Sequence, residues 1–267
     1  MSIDISDQEF ARFQGFILEE AGITLGPAKK ALVCGRLEKR LRHHGLASYG
    51  DYLRLLVGRR DPDEVQLAID LLTTNETYFF REPRHFDLLR EQATAARLAR
   101  RPMRVWSAAC STGEEAYSIA MVLADLQADL PWELLASDIS TKVLQRARCG
   151  HYPDSRATQV CASYRKRFCL KGTGEQAGTL LVQRPLRERI EFTQINLDRP
   201  IPAMATFDMI FLRNVMIYFS IETKRRVVAR LLPLLKNGGY LLVGHSESLN
   251  DVTDALSVVR PSVYQRP

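Results

Sequence analysis

The chain has 267 residues, enough for one large domain or two modest ones, and its 46% hydrophobic and 25% charged content is ordinary for a soluble globular protein. Its net charge of +6, from 37 Lys and Arg against 31 Asp and Glu, permits an acidic partner without choosing among nucleic acid, anionic lipid and acidic protein. The acidic opening MSIDISDQEF is no signal peptide, no run of about 18 apolar residues offers a membrane span, and the scattered cysteines and histidines show neither a disulfide framework nor a metal-ligand spacing, so a cytoplasmic protein without metal or membrane insertion is expected.

The first hundred residues read as helices. SDQE at 6–9 is a capping box ahead of FARFQGFILEEAG. In KKALVCGRLEKRLRHH (29–44), a turn of about 100° per residue puts Lys29, Arg36, Arg40 and His43 on one face, with Lys39 at its margin. Val33, Cys34, Leu37 and Leu41 form the adjoining apolar stripe. Such a basic face is either solvated or a docking surface for an acidic helix, a lipid or a nucleic acid. SYGD at 48–51 repeats the box pattern before YLRLLVG, and Asp61 caps a helix that Pro62 opens. TTNETYFFREP breaks the pattern, and PRHFDLLREQATAARLARR resumes it.

From Met103 strand-like and helical runs alternate. MRVWSAA, WELLASD, RIEFTQIN and FDMIFLRN are strand-like, while 114–128 and STKVLQRAR, capped by Ser140, are helical. SIETKRRVVARLLPLLKNGG reads as one helix with Gly238 as its stop, despite Pro233. YLLVGHSESL and LSVVRPSVYQR close the chain with strands. This alternation implies an α/β domain, a parallel sheet covered by helices. The interruption at 155–187, with KGTGEQAGTLLVQRP, reads as a small antiparallel β insertion.

VWSAACSTGEEAYSIA (105–120) is a strand turning on small residues into a helix, the place where α/β proteins hold nucleotide-like ligands. It has one glycine, Gly113, where dinucleotide folds need G-x-G-x-x-G, and two carboxylates follow. A ligand received by acid carries positive charge or hydroxyls and needs no phosphate cradle. S-adenosylmethionine fits, with its sulfonium, α-ammonium and ribose. Glu114 suits the amino-acid or sulfonium end. Asp138, 25 residues beyond Gly113, suits the ribose hydroxyls. Glu115 is read as a carboxylate placed for the helix dipole. DMIFLRNVMIYF (208–219) should end its strand near Arg213-Asn214 at the ligand-binding edge, with Tyr218 four residues after Asn214. It lacks the [DN]-P-P-[YF] motif of enzymes that methylate nucleobase amines.

TTNETYFFRE, SAACSTGEEAYS, INL, RNVMIYF and GHSESL occur in order and at suitable spacing. With them the chain resembles CheR, the chemotaxis receptor glutamate O-methyltransferase family, over nearly its whole length. It departs where the family commonly reads G-E-E-P-Y-S and this chain has Ala116. The resemblance implies an α/β fold: a Rossmann-like class I S-adenosylmethionine-dependent methyltransferase domain at 83–267, with the β insertion at 155–187. An all-helical receptor-docking domain with the linker motif precedes it at 1–82. The implied cofactor contacts are Asn75, Thr77, Arg81, Glu114, Asp138, Asn196, Leu197, Asn214 and Val215. The implied product is S-adenosylhomocysteine, and no metal is involved. Arg81 and Tyr218 are the expected catalytic pair, holding a receptor glutamate carboxylate. Lys29, Arg36, Lys39, Arg40 and His43 would dock cytoplasmic receptor helices, and the insertion, turned by Gly172, Gly174 and Gly178, would bind a receptor C-terminal peptide. A monomer that binds no nucleic acid is expected. The competing reading is a non-catalytic receptor-binding protein that senses S-adenosylmethionine.

Overall fold

The computed structural model describes residues 4–59, 61–127 and 130–267, so Ala128, expected at a helix end, lies outside the described residues. Helix starts follow the local caps. The Ser6 hydroxyl accepts from the Glu9 N–H (3.2 Å) and Glu9 returns the bond to the Ser6 N–H (2.8 Å), opening α1 (Asp7–Ala21). After α2 (Lys30–His43), Ser48 caps α3 (Tyr49–Val57) and Asp61 caps α4 (Pro62–Leu72). The apolar stripes of these helices pack on one another, with Phe13, Ile17, Val33, Leu37, Leu41, Tyr49 and Tyr52 fully buried. α5 (Pro83–Leu98) then leads to the sheet.

The main sheet holds β1 (Met103–Ser107), β2 (Trp132–Asp138), β6 (Ile190–Gln194), β7 (Phe207–Leu212), β8 (Leu235–Val243), β9 (Ser257–Arg260) and β10 (Val263–Gln265). Their order is β6-β2-β1-β7-β8-β10-β9. The first five of these run parallel, joined by α6 (Glu114–Leu126), α7 (Thr141–Cys149) and α10 (Ile221–Leu231) among the connections. β10 is antiparallel to both β8 and β9, unlike the all-parallel sheet expected. No helix separates β8 from β10, and a parallel return needs a crossover of a dozen or more residues. The chain order reverses between β2-β1 and β7-β8, so a crevice opens at the carboxyl ends of β1 and β7.

Two further expectations are corrected. The helix beginning at Ile221 ends at Leu231 rather than at Gly238. Pro233 lacks an N–H and its ring disfavours further α-helix, so one 3₁₀ turn (Leu232–Leu234) leads directly into β8. Gly238 lies inside that strand, where the register against β7 shifts. The insertion does form an antiparallel sheet, of β3 (His151–Pro153), β4 (Cys169–Lys171) and β5 (Thr179–Val182), with β5 central. Its first strand precedes residue 155. Two shorter helices, α8 (Ala162–Phe168) and α9 (Arg184–Arg187), flank it.

Carboxylates join the helical domain to the sheet domain. Asp70, near the end of α4, accepts from the Thr141 and Lys142 N–H groups (3.0 and 3.2 Å) and the Thr141 hydroxyl (2.9 Å) at the start of α7. An anion there meets unpaired N–H groups and the positive helix end.

Candidate active site

The crevice is a deep cleft with walls from both domains. β1 and its turn contribute Ala108, Ala109 and Ser111; β2 ends in Asp138 and Ile139; Ile195–Leu197 follows β6; Arg213–Val215 and Tyr218 follow β7. The linker motif Thr73–Thr77 with Arg81 forms another wall. The turn of β1 depends on Gly113 (φ 97°). A Cβ there would lie 2.8 Å from the Ala147 Cβ and 2.9 Å from the Tyr152 hydroxyl oxygen, so no larger residue fits.

Asp138 sits at the switch point as expected and is 8% exposed. One oxygen accepts from the Ser111 N–H (2.9 Å) and the other from the Ser140 N–H (3.0 Å). Each keeps acceptor capacity for the cleft. Burial pushes its carboxyl up to about 6, against the opposing pull of those N–H groups. Ser111 lines the same space, and its buried hydroxyl has no hydrogen-bond partner among the described residues. An acidic wall of small residues with an unpaired hydroxyl fits a hydroxylated, positively charged ligand such as S-adenosylmethionine.

The two glutamates are placed the other way round from the expectation, with Glu115 rather than Glu114 on the cleft wall. Glu114 is fully buried and does not line the cleft. It accepts from the Thr112 hydroxyl (2.6 Å) and from Arg156 (2.9 Å), which also donates to the Thr77 carbonyl (3.1 Å). Its place is beneath the linker motif. Glu115 lines the cleft, accepting from the Ser107 hydroxyl (2.7 Å) and Arg213 (2.8 Å). Neighbours on a helix point about 100° apart, so one wall takes only one of them. Burial raises the Glu115 carboxyl above its ordinary range, although Arg213 and Ser107 counteract this.

Asn75, Thr77, Arg81, Asn196, Leu197, Asn214 and Val215 all line the cleft, as does Tyr218. The Asn196 amide is also spent on the fold, donating to the Glu20 carbonyl (2.7 Å) at the end of α1. Asn214 takes a left-handed backbone (φ 56°), and Glu247 of GHSESL accepts from the N–H groups of Asn214 (2.7 Å), Ile217 (3.1 Å) and Gly244 (2.6 Å). That carboxylate shapes the loop that carries Tyr218. Phe79 and Phe80 are packed in the core, not in the site.

Sequence reasoning missed the Arg213 bridge and most of the roof. The Arg213 side chain is 1% exposed and bridges Glu82 (3.1 Å) and Glu115 (2.8 Å), while donating to the Arg81 carbonyl. The roof is Ile23, Thr24, Leu25 and Lys29 of the helical domain. Its Thr24 N–H donates to the Tyr218 carbonyl (2.8 Å), and Ile23 pairs with Phe219 as an isolated bridge. Lys29 belongs to the basic stripe and Arg213 to the strand end already read from the sequence, but no local signal marks Ile23, Thr24 and Leu25 or the bridge that Arg213 makes, since the partners lie far along the chain.

The basic stripe is only partly a surface. Lys29, Lys39 and His43 are exposed. Arg36 instead donates to the Leu71 and Thr73 carbonyls (3.1 and 2.7 Å), and Arg40 grips Glu64 on α4 with both Nε and a terminal nitrogen. Both are partly buried where α2 packs against α4 and are engaged there, so they present less free surface than the expected docking face. In the insertion, Gly172 lines a groove with Leu170, Lys171, Thr173 and Leu181, whereas Gly174 and Gly178 (φ 57° and 80°) form the turn beside it.

With this geometry in view, comparisons with known proteins cover both domains. A family model described as "CheR methyltransferase, SAM binding domain" matches residues 75–264, and one described as "CheR methyltransferase, all-alpha domain" matches 8–73. The chain is 41% identical to the chemotaxis protein methyltransferase of Escherichia coli K12, over 97% of its own length and 91% of the relative's. It is 41% identical to that of Salmonella typhimurium LT2, over 97% and 90%. Against chemotaxis protein methyltransferase 2 of Pseudomonas aeruginosa the identity is 43%, over 96% and 92%.

Proposed function

The chain belongs to the CheR methyltransferase family, and on that premise we propose that it methylates glutamate side chains of chemoreceptors, with S-adenosylmethionine as donor. The observation that carries this is the cleft itself. Acid groups Asp138 and Glu115 line its ligand wall, Arg81 and Tyr218 stand on the same cavity, and Lys29 at the head of α2 reaches its mouth. When bound, S-adenosylmethionine supplies an electrophilic methyl group. Asp138 would hold its ribose hydroxyls and Glu115 its ammonium.

A receptor glutamate, with an unperturbed pKa of about 4.3, is already ionised at neutral pH. No general base is required of the protein, and its cleft offers orientation and exclusion of water. Orientation contributes up to about 7–11 kcal/mol in favourable cases. Arg81, anchored on the Glu76 carbonyl (2.9 Å), and Tyr218 would orient the carboxylate. Tyr218→Phe and Arg81→Ala are expected to lower turnover while leaving the melting temperature near the parent's. The product should lose its methyl group in mild base, as carboxyl esters do. A base-stable methyl group on the receptor would refute the glutamate assignment.

Asp138→Ala is expected to weaken S-adenosylmethionine and S-adenosylhomocysteine by about 1.5–3 kcal/mol, the range for hydrogen bonds to charged groups. Affinity of the parent should also fall as pH drops through about 6, because protonation of Asp138 removes the charge that strengthens its bonds from the hydroxyls and turns one of its oxygens into a donor. Calorimetry on both sides of that pH, with the variant as the flat control, measures each effect. Parent-like affinity in folded Asp138→Ala would take the residue out of the site.

Lys29, Lys39 and His43 span about 20 Å of α2 from the cleft mouth outward, at 1.5 Å per residue. An acidic receptor helix laid along them would present its glutamates to the cleft. Lys39→Glu with His43→Glu should raise the receptor KM, and added salt should weaken the parent in the same direction. Both edges of the insertion sheet, β3 and β4, lack a further strand partner among the described residues. A receptor tail would add to β4, beside the groove that Leu170 and Gly172 line. Shortening 172–178 should abolish binding of tail peptides and leave methylation of tailless receptors unchanged.

A further inference from the structure

Behind Arg213 three side chains from distant parts of the chain converge. Glu82 closes the linker motif, His85 lies in the first turn of α5, and His245 follows β8. Glu82 Oε2 is 3.4 Å from His85 Nδ1 and 3.8 Å from His245 Nε2, and the three donor atoms lie within 4.8 Å of one another. Donors about 2.0–2.2 Å from one tetrahedral ion stand roughly 3.3–3.5 Å apart, so only a small closure of the exposed His245 is needed.

The state of His85 gives the independent sign. Its side chain is 1% exposed. The Ser262 hydroxyl donates its single proton to the Pro261 carbonyl (2.6 Å), so at 2.8 Å from His85 Nε2 it acts as the acceptor. With the hydroxyl proton on the shorter of its two contacts, the His85 proton is assigned to Nε2. Nδ1 is left buried with no hydrogen-bond partner, its lone pair toward the Glu82 carboxylate. A lone pair and a carboxylate repel unless a cation lies between them. A hydrogen bond on the far ring nitrogen is also how metal-binding histidines are oriented. Glu82 is held by a left-handed backbone (φ 58°), a conformation strained for any residue but glycine. The positive charge of Arg213 is shared with Glu115 on its other side.

We infer that Glu82, His85 and His245 form a site for a divalent cation of the zinc class, which two imidazoles and a carboxylate suit. Occupancy would draw Glu82 away from Arg213 and from the Asn214 amide (3.3 Å), both at the cleft wall, and so weaken cofactor binding. This second part rests on the cleft's being the S-adenosylmethionine site; the first does not. By linkage the cofactor would weaken the cation equally.

The test is titration of the full chain with Zn²⁺ by calorimetry and with Co²⁺ by visible absorption, followed by S-adenosylmethionine titrations with and without saturating zinc. About one ion per chain should bind, without the thiolate charge-transfer band that the five cysteines would produce. Ser262→Ala, which removes only the orienting bond, should weaken the ion roughly 10–100-fold, and His245→Ala at least as much. Zinc should weaken S-adenosylmethionine several-fold in the parent and not in His245→Ala. No binding at millimolar zinc, parent-like affinity in His245→Ala, or a thiolate band would overturn the site. Unchanged cofactor affinity in zinc-saturated protein would overturn the coupling.

Discussion

Arg213→Met is expected to cost about 3–5 kcal/mol of folding stability and most of the cofactor affinity, the loss typical when one partner of a buried ion pair is removed. The guanidinium is held between Glu82 and Glu115 and is almost wholly out of water. Without it two carboxylates face each other in a dry region. Burial already lifts the Glu115 carboxyl, and Arg213 is the largest force pulling it back. Its removal should raise the Glu115 carboxyl further and weaken its attraction for an ammonium. The change should also release Arg81, whose carbonyl Arg213 holds. Denaturant unfolding measures the first effect and calorimetry with S-adenosylmethionine the second. Adding Glu115→Gln to Arg213→Met should restore part of the stability and none of the affinity, which separates charge balance from ligand contact. A single variant within about 1 kcal/mol of the parent would show that the bridge carries little energy.

Arg40→Ala should cost a similar amount, about 3–5 kcal/mol, in the helical domain. Glu64 is 3% exposed and accepts from Arg40, from the Tyr52 hydroxyl (2.5 Å) and from the neighbourhood of His44. Burial alone would raise its carboxyl, but bonds from Arg40, Tyr52 and His44 outweigh that and hold it at about 2. A carboxylate depressed in the folded state stabilises the protein above its unfolded pKa, and that contribution is lost as pH falls through the folded value. The difference between parent and Arg40→Ala should therefore be full at neutral pH and shrink from about pH 4.5 toward 2. Unfolding curves at several pH values check this. A pH-independent difference would mean that packing of the Arg40 stem, not charge, is what the variant loses. Receptor-docking experiments that alter Arg40 would also mix folding with recognition, whereas Lys39 and His43 leave the Glu64 cluster intact.

The sequence by itself determined where most elements begin and what kind of ligand the turn after β1 could receive. Ser6, Ser48, Asp61 and Ser140 cap the helices that their spacing implies, because a cap depends on backbone groups two or three residues away. A single glycine before two carboxylates was enough to exclude a phosphate cradle, and Asp138 is where the strand pattern puts it. The tertiary structure decided which charges point where. Glu114 and Glu115 are indistinguishable in sequence, yet Arg156 pairs with one below the linker and Arg213 with the other at the cleft. Arg36 and Arg40 have the spacing of a surface stripe, but α4 supplies the carbonyls and the carboxylate that turn them inward. The cleft roof and the Glu82–His85–His245 cluster are likewise assembled from segments far apart in the chain. The reason is the range of the interactions. Periodicity and capping act within a turn or two, whereas the partner of a buried charge is whichever opposite group the packed domains bring within hydrogen-bonding distance.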